Sequence, residues 1–125
     1  MRELEFRGRR KDNGEWVYGS LCIRKIARVV LIMVEHEDGT ATNYPVVPET
    51  VGQLLAFTDK NGEPVYEGDI MKVASYRYRI EWDSISARFL ARPLRPMYQP
   101  IAVSLSKCRM AGQVVGNISE NPELL

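Results

Sequence analysis

The chain has little of what membrane proteins and most catalytic centres are built from. Its longest uninterrupted apolar run, VVLIMV at residues 29–34, falls far short of the about 20 residues needed to cross a bilayer. The stretch MRELEFRGRRKDNGEW has no apolar core behind its positive charges, so no secretory signal is expected and the protein should be soluble and intracellular. There are two cysteines, Cys22 and Cys108, outside any C-x-x-C arrangement, and in a reducing compartment they should remain separate thiols. The single histidine, His36, stands between Glu35 and Glu37 beside Asp38-Gly39, where it reads as a solvated hairpin residue rather than a triad base or a zinc ligand. Neither G-x-x-x-x-G-K-[ST] nor G-x-G-x-x-G occurs, which removes the usual phosphate cradles. Charge of one sign is missing too: 17 Lys and Arg face 16 Asp and Glu, for a net +1. No global field draws the molecule onto nucleic acid or an anionic membrane, so any such binding must come from a local patch.

What is present is strand signal. ELEFR alternates, EWVYGSLCIRK is rich in aromatic and β-branched residues, and RVVLIMVEH leads through EDGT into ATNYPVV. Asp38-Gly39 predicts a hairpin turn, because glycine takes positive φ without a Cβ penalty. The run at residues 29–34 reads as a strand covered on both faces. Residues 48–57 offer the one short helical turn, with Pro48 at its start and Gly52 too early for more. In SYRYRIEWD the period of two puts Tyr76, Tyr78, Ile80 and Trp82 on a core face and Arg77, Arg79, Glu81 and Asp83 on a wet one. Pro93, Pro96 and Pro100 mark residues 91–100 as a long loop, after which IAVSLSKCRM and GQVVGNI supply two closing strands. NGEWVYGS at residues 13–20 is echoed by NGEPVYEGD at 61–69, and each Asn-Gly is expected to make a type I′ turn. With 125 residues the chain suits one domain that buries roughly 65–70% of its unfolded surface.

The most distinctive stretch, DKNGEPVYEGDIMKV, carries Asp59, Glu63, Glu67 and Asp69. A calcium loop would need its glycine at the sixth position, whereas Gly62 arrives at the fourth and Pro64 follows close behind. The acids therefore read as surface turn residues, and the segment as architecture, with Gly68 marking a bend. No catalytic, cofactor-binding or metal-binding residue is assigned, and no cofactor or small-molecule substrate is expected. Cations fall in four groups: Arg7, Arg9, Arg10 and Lys11; Arg24, Lys25 and Arg28; Arg77 and Arg79; Arg88, Arg92 and Arg95. Arginine with tyrosine nearby is the chemistry of phosphate contact and base stacking.

Three blocks, LEFRGRRKDNGEWVYGSL, PETVGQ through DKNGEPVYEGDI, and VVGNISENPELL, resemble in order and spacing the YopX family of small phage and prophage proteins. LLAFT departs from the family's usual step after Thr-Val-Gly-Gln. The resemblance implies a mainly β protein made in a bacterial cytoplasm from a phage, a prophage or a related mobile element, and it brings no activity or catalytic residues with it. The fold expected is therefore all-β and mainly antiparallel, a single YopX-like domain over residues 1–125 with β-rich sub-lobes at 1–57 and 58–125. The lobes should be small, barrel-like and, by analogy with how EGDIMKV enters its strand, SH3-like, with at most one helical turn near residues 48–55. The function expected is that of a non-enzymatic binding or assembly module acting on a protein partner or another copy of itself, through the loop bearing Arg92, Arg95, Met97 and Tyr98. The rival is nucleic-acid binding through Arg24, Arg28, Arg77, Arg79 and Arg88. No membrane partner is expected.

Overall fold

The computed structural model describes residues 2–95 and 103–125, and the chain falls into two compact units, Met1–Leu54 and Leu55–Leu125. The first unit begins with β1 (Phe6–Arg9), β2 (Trp16–Arg24), β3 (Val29–Glu35) and β4 (Ala41–Pro45), followed by a 3₁₀ turn at Pro48–Thr50 and the start of β5 (Gly52–Thr58). All pairings are antiparallel. β2 is shared between two partners: Trp16 to Gly19 lie opposite β1, and Ser20 to Arg24 opposite β3. Gly19 stands where the strand changes partner, and a Cβ there would lie 2.0 Å from the Met33 carbonyl oxygen. Only glycine admits that approach. An isolated bridge from Arg10 to Val46 links the ends of β1 and β4 without completing a ladder.

The expectation of a strand covered on both faces at residues 29–34 is corrected: in β3 only Ile32 is fully buried, and the other five are partly exposed. β2 and β4 satisfy the backbone of β3 on either side, which hides its amides but leaves part of both faces open. The β3–β4 hairpin turns where Asp38-Gly39 predicted, with Gly39 at φ 88° and Gly39 N–H donating to the His36 carbonyl at 2.9 Å.

The second unit holds the rest of β5, which neighbours β6 (Pro64–Tyr66), and a four-stranded antiparallel sheet in the order β10-β7-β8-β9. Its strands are β7 (Asp69–Val73), β8 (Tyr76–Asp83), β9 (Arg88–Pro93) and β10 (Gly112–Asn117). The core gathers Leu55, Val65, Met71, Val73, Tyr78, Ile80, Ala91 and Cys108, each large aliphatic member contributing about 1.5–3 kcal/mol when wholly buried. In β8 the predicted alternation holds at Tyr78 and Ile80, while Tyr76 and Trp82, expected on the same core face, are about half exposed at 46% and 48%. The strand outruns the core at both ends.

Three further expectations give way. Among the described residues no barrel closes; their strands form two open sheets. Residues 105–111 are not a strand but a helix, α1 (Leu105–Ala111), capped by the Ser104 hydroxyl, which accepts from Lys107 N–H at 3.2 Å. Leu105 and Cys108, three apart, share the helix face that meets the core. The loop expected at residues 91–100 begins later, since β9 runs to Pro93, opposite Tyr78. β9 is the edge strand of its sheet, the place where a missing amide donor costs no ladder bond. Among the described residues no helix is long and apolar enough to cross a membrane.

Candidate binding surfaces

Two of the four acids of the DKNGEPVYEGDIMKV stretch, Asp59 and Asp69, hold backbone, while Glu63 is exposed as expected. Asp59, expected at the surface, is only 4% exposed, and Asp69 2%. Asp59 Oδ1 accepts from Asn61 N–H at 2.8 Å and Glu63 N–H at 2.9 Å, and its Oδ2 accepts from Val114 N–H at 2.9 Å. Burial pushes its carboxyl upward, but the three amide donors outweigh that and hold it below the usual carboxylate range. Asp69 Oδ2 accepts from Tyr66 N–H at 2.8 Å, across the tight link where Gly68 adopts φ 93°. The Asn-Gly turns are not type I′: positive φ occurs at Gly14 and Gly62 but not at Asn13 or Asn61. Asp59 N–H donates to the Glu63 carbonyl and Gly62 N–H to that of Asp59, a three-residue loop with the glycine alone left-handed.

Nucleophile and ligand candidates are similarly placed. His36 Nε2 lies 2.6 Å from Thr42 Oγ1 on an exposed hairpin. Both cysteines are free; Cys22 is exposed, and burial pushes the Cys108 thiol up to about 11, which keeps it unreactive. Among the described residues no group of three or more His, Cys, Asp or Glu side chains could hold a metal ion.

The cations divide by what they touch. In the first unit Arg10 makes a forked pair with Asp12 at 2.6 and 2.9 Å and lies 4.5 Å above the Tyr44 ring. Arg7 is buried 4.8 Å over Trp16. These arginines hold the fold. Arg24, Lys25 and Arg28, at the β2–β3 turn, are exposed, and among the described residues no hydrogen bond or ion pair engages them. In the second unit Arg79 Nε pairs with Glu81 at 2.7 Å. Arg92 is bonded to Glu81 and lies 3.9 Å from Asp83, and Arg88 Nε donates to Ser86 Oγ at 3.3 Å.

One concavity in the second unit draws three cations together. A cleft of about 450 Å³ is lined by Lys72, Ser75, Tyr76, Arg77, Leu94, Arg95 and Leu124, with no carboxylate side chain among them. Two elements bring its cations together. Ala74-Ser75 is a two-residue turn between β7 and β8, with Ala74 at φ 54°, and it sets Lys72 directly opposite Arg77. Leu94 N–H donates to the Arg77 carbonyl at 3.2 Å, which brings in the end of β9 and Arg95. Lys72 and Arg77 thus stand as like charges directly opposite across an antiparallel pair, an arrangement that by itself opposes folding. Of the residues singled out from sequence, the structure joins Arg77 to Arg95 here and adds Lys72, Tyr76 and Ser75. The only signal for those three was the position of a turn that lacks the usual Gly or Asn. Arg24 and Arg28 belong to the first unit, and Met97 and Tyr98 lie outside the described residues.

The fold and these surfaces define an all-β protein of two small units with cationic surfaces. The chain belongs to the YopX family, whose model matches residues 5–125. Among solved structures it is similar to protein EF1440 from Enterococcus faecalis, with a TM-score of 0.60 and 21% identity over 100% of this chain and 99% of that one. That likeness concerns the fold. No curated protein matches the chain in sequence.

Proposed function

We propose that the protein is a non-enzymatic binding module whose ligand is nucleic acid, held at the cleft of the second unit. The observation that carries this is Lys72 set opposite Arg77 and joined by Arg95 around a half-exposed Tyr76. Cations on phosphates and an aromatic face for a base are the two parts of strand binding. The groups a catalytic centre would use have other work: Asp59 holds three amides, and the Cys108 thiol is raised out of the nucleophilic range. The phage or prophage setting and the bacterial cytoplasm that the family resemblance implies belong to the same proposal.

The test is fluorescence anisotropy with labelled 20-mer single-stranded and duplex DNA across a salt series. Replacing Lys72, Arg77 and Arg95 together by Gln should lower the slope of log K against log salt by about 2–3, at roughly 0.7–0.9 for each phosphate no longer neutralised. Flat binding curves for the unaltered protein at low salt overturn the reading.

A second reading, docking against a protein partner or another copy of the chain, is favoured by the β8–β9 hairpin. Trp82 is half exposed and packs edge-on against Phe89 with ring centroids 5.1 Å apart, and Ile85 beyond it is 95% exposed. Exposed aromatic surface is typical of protein interfaces.

A further inference from the structure

The end of the β2–β3 hairpin combines features that folding does not require. Its four connecting residues, 25–28, are all exposed, and Ile26 is at 102%, fully in solvent. Arg24, Lys25 and Arg28 surround that isoleucine, with no partner engaging them among the described residues. Arg28 adopts φ 55°, a left-handed conformation that an arginine occupies at a cost and a glycine would not. The carboxylates of this hairpin system, Glu35, Glu37 and Asp38, stand at the opposite end of β3, about 20 Å away at 3.3 Å per residue. The first unit carries three positive charges at one end of a strand and three negative charges at the other, a separation that orients it toward a polyanion.

We infer that the hairpin end at residues 24–28 is a second nucleic-acid contact, on duplex DNA, in which Arg24, Lys25 and Arg28 neutralise phosphates while Ile26 presses against sugar and base edges in the groove. The inference rests on the nucleic-acid reading above and extends it to the first unit. An apolar side chain set among cations is the form in which proteins wedge into a groove. The same hairpin end is a poorer fit to an anionic membrane, where one isoleucine supplies too little apolar surface to anchor even with a basic patch beside it.

The experiment uses the full chain, a labelled 20-bp DNA duplex and a salt series. Replacing Arg24, Lys25 and Arg28 together by Gln should reduce the salt slope by about 2.7, at roughly 0.9 per phosphate. Ile26→Ser should weaken binding several-fold with the slope unchanged. Arg28→Gly should separate function from folding, melting higher because its strain is relieved while binding DNA more weakly. Met110→Ser, at an exposed position of α1, serves as control and should bind as the unaltered protein does. If the cleft variant loses affinity while these hairpin variants keep it, the hairpin contact is overturned and the cleft reading stands. If the unaltered protein ignores DNA at low salt, both fall. Binding to phosphatidylserine-rich vesicles that the triple Gln variant abolishes, without an effect on DNA, replaces DNA by a membrane as the occupant.

Discussion

Two hairpins, one in each unit, end in the same backbone and opposite chemistry. Residues 25–28 and 84–87 each form a four-residue connection whose last member is left-handed, Arg28 and Ala87 both at φ 55°. Each carries an isoleucine in second place, Ile26 at 102% exposure and Ile85 at 95%. Around Ile26 stand three cations that have no partner among the described residues; around Ile85 stand Ser84 and Ser86, and Asp83 accepts from Ser86 N–H at 3.3 Å and from its hydroxyl at 2.5 Å. The second hairpin end satisfies itself, and the first leaves its charge for something else. The geometry alone therefore says nothing about a partner; the unspent charge does. The Asn-Gly turns repeat the lesson. At Asn13-Gly14 the side chain of Asn13 accepts from Glu15 N–H at 2.9 Å in solvent, whereas the turn at Asn61-Gly62 is held by buried Asp59, which also reaches Val114.

The largest effect should come from breaking the second of these pairs. Asp59→Ala strands three amide donors and should cost about 2–4 kcal/mol in a denaturant melt, against about 1 kcal/mol or less for Asn13→Ala. Equal losses would show that burial adds nothing to the clamp. Next comes acid. Because the folded Asp59 carboxyl is held below its ordinary value of 3.8, its contribution is complete above the unfolded range and drains away as pH falls from about 4 downward through the lower folded value. Asp59→Asn should flatten that part of the stability curve, read by thermal melts from neutral to acid; an unchanged acid limb refutes the assignment. The smallest effect sharpens the hairpin comparison. Arg28→Gly and Ala87→Gly should each stabilise by about 0.5–1 kcal/mol, the left-handed strain less the entropy of glycine, and only the first should alter DNA binding.

Much of the fold was legible because strand alternation is a local signal: the antiparallel β class, the turn at Asp38-Gly39, and Tyr78 and Ile80 in the core all follow from residues close in sequence. What was not legible depended on partners far away. IAVSLS alternates like a strand, yet the Ser104 cap and the apolar pair Leu105 and Cys108 make a helix when a sheet is there to receive them. Pro93 is admitted to β9 only because β9 is an edge, which no local pattern states. Asp59 looked like a surface charge because the amide that buries its second oxygen belongs to Val114, 55 residues on. The cleft was half visible: Arg77 and Arg95 stood in two different predicted sets, and Lys72 joins them only through a two-residue turn in which Ala74 occupies a place that sequence rules give to glycine.

The bond from Asp59 to Val114 also sets an order of events during synthesis. The first unit has its strands in hand once β5 has begun, and it can settle while the ribosome is still at work. The second cannot: β7 and β8 emerge early, but one side of β7 and one oxygen of a carboxylate destined for the interior wait for β10, the last strand to appear. Closing so long a loop is slow. Until Gly112–Asn117 has been made, β7 therefore has a partner strand on one edge only.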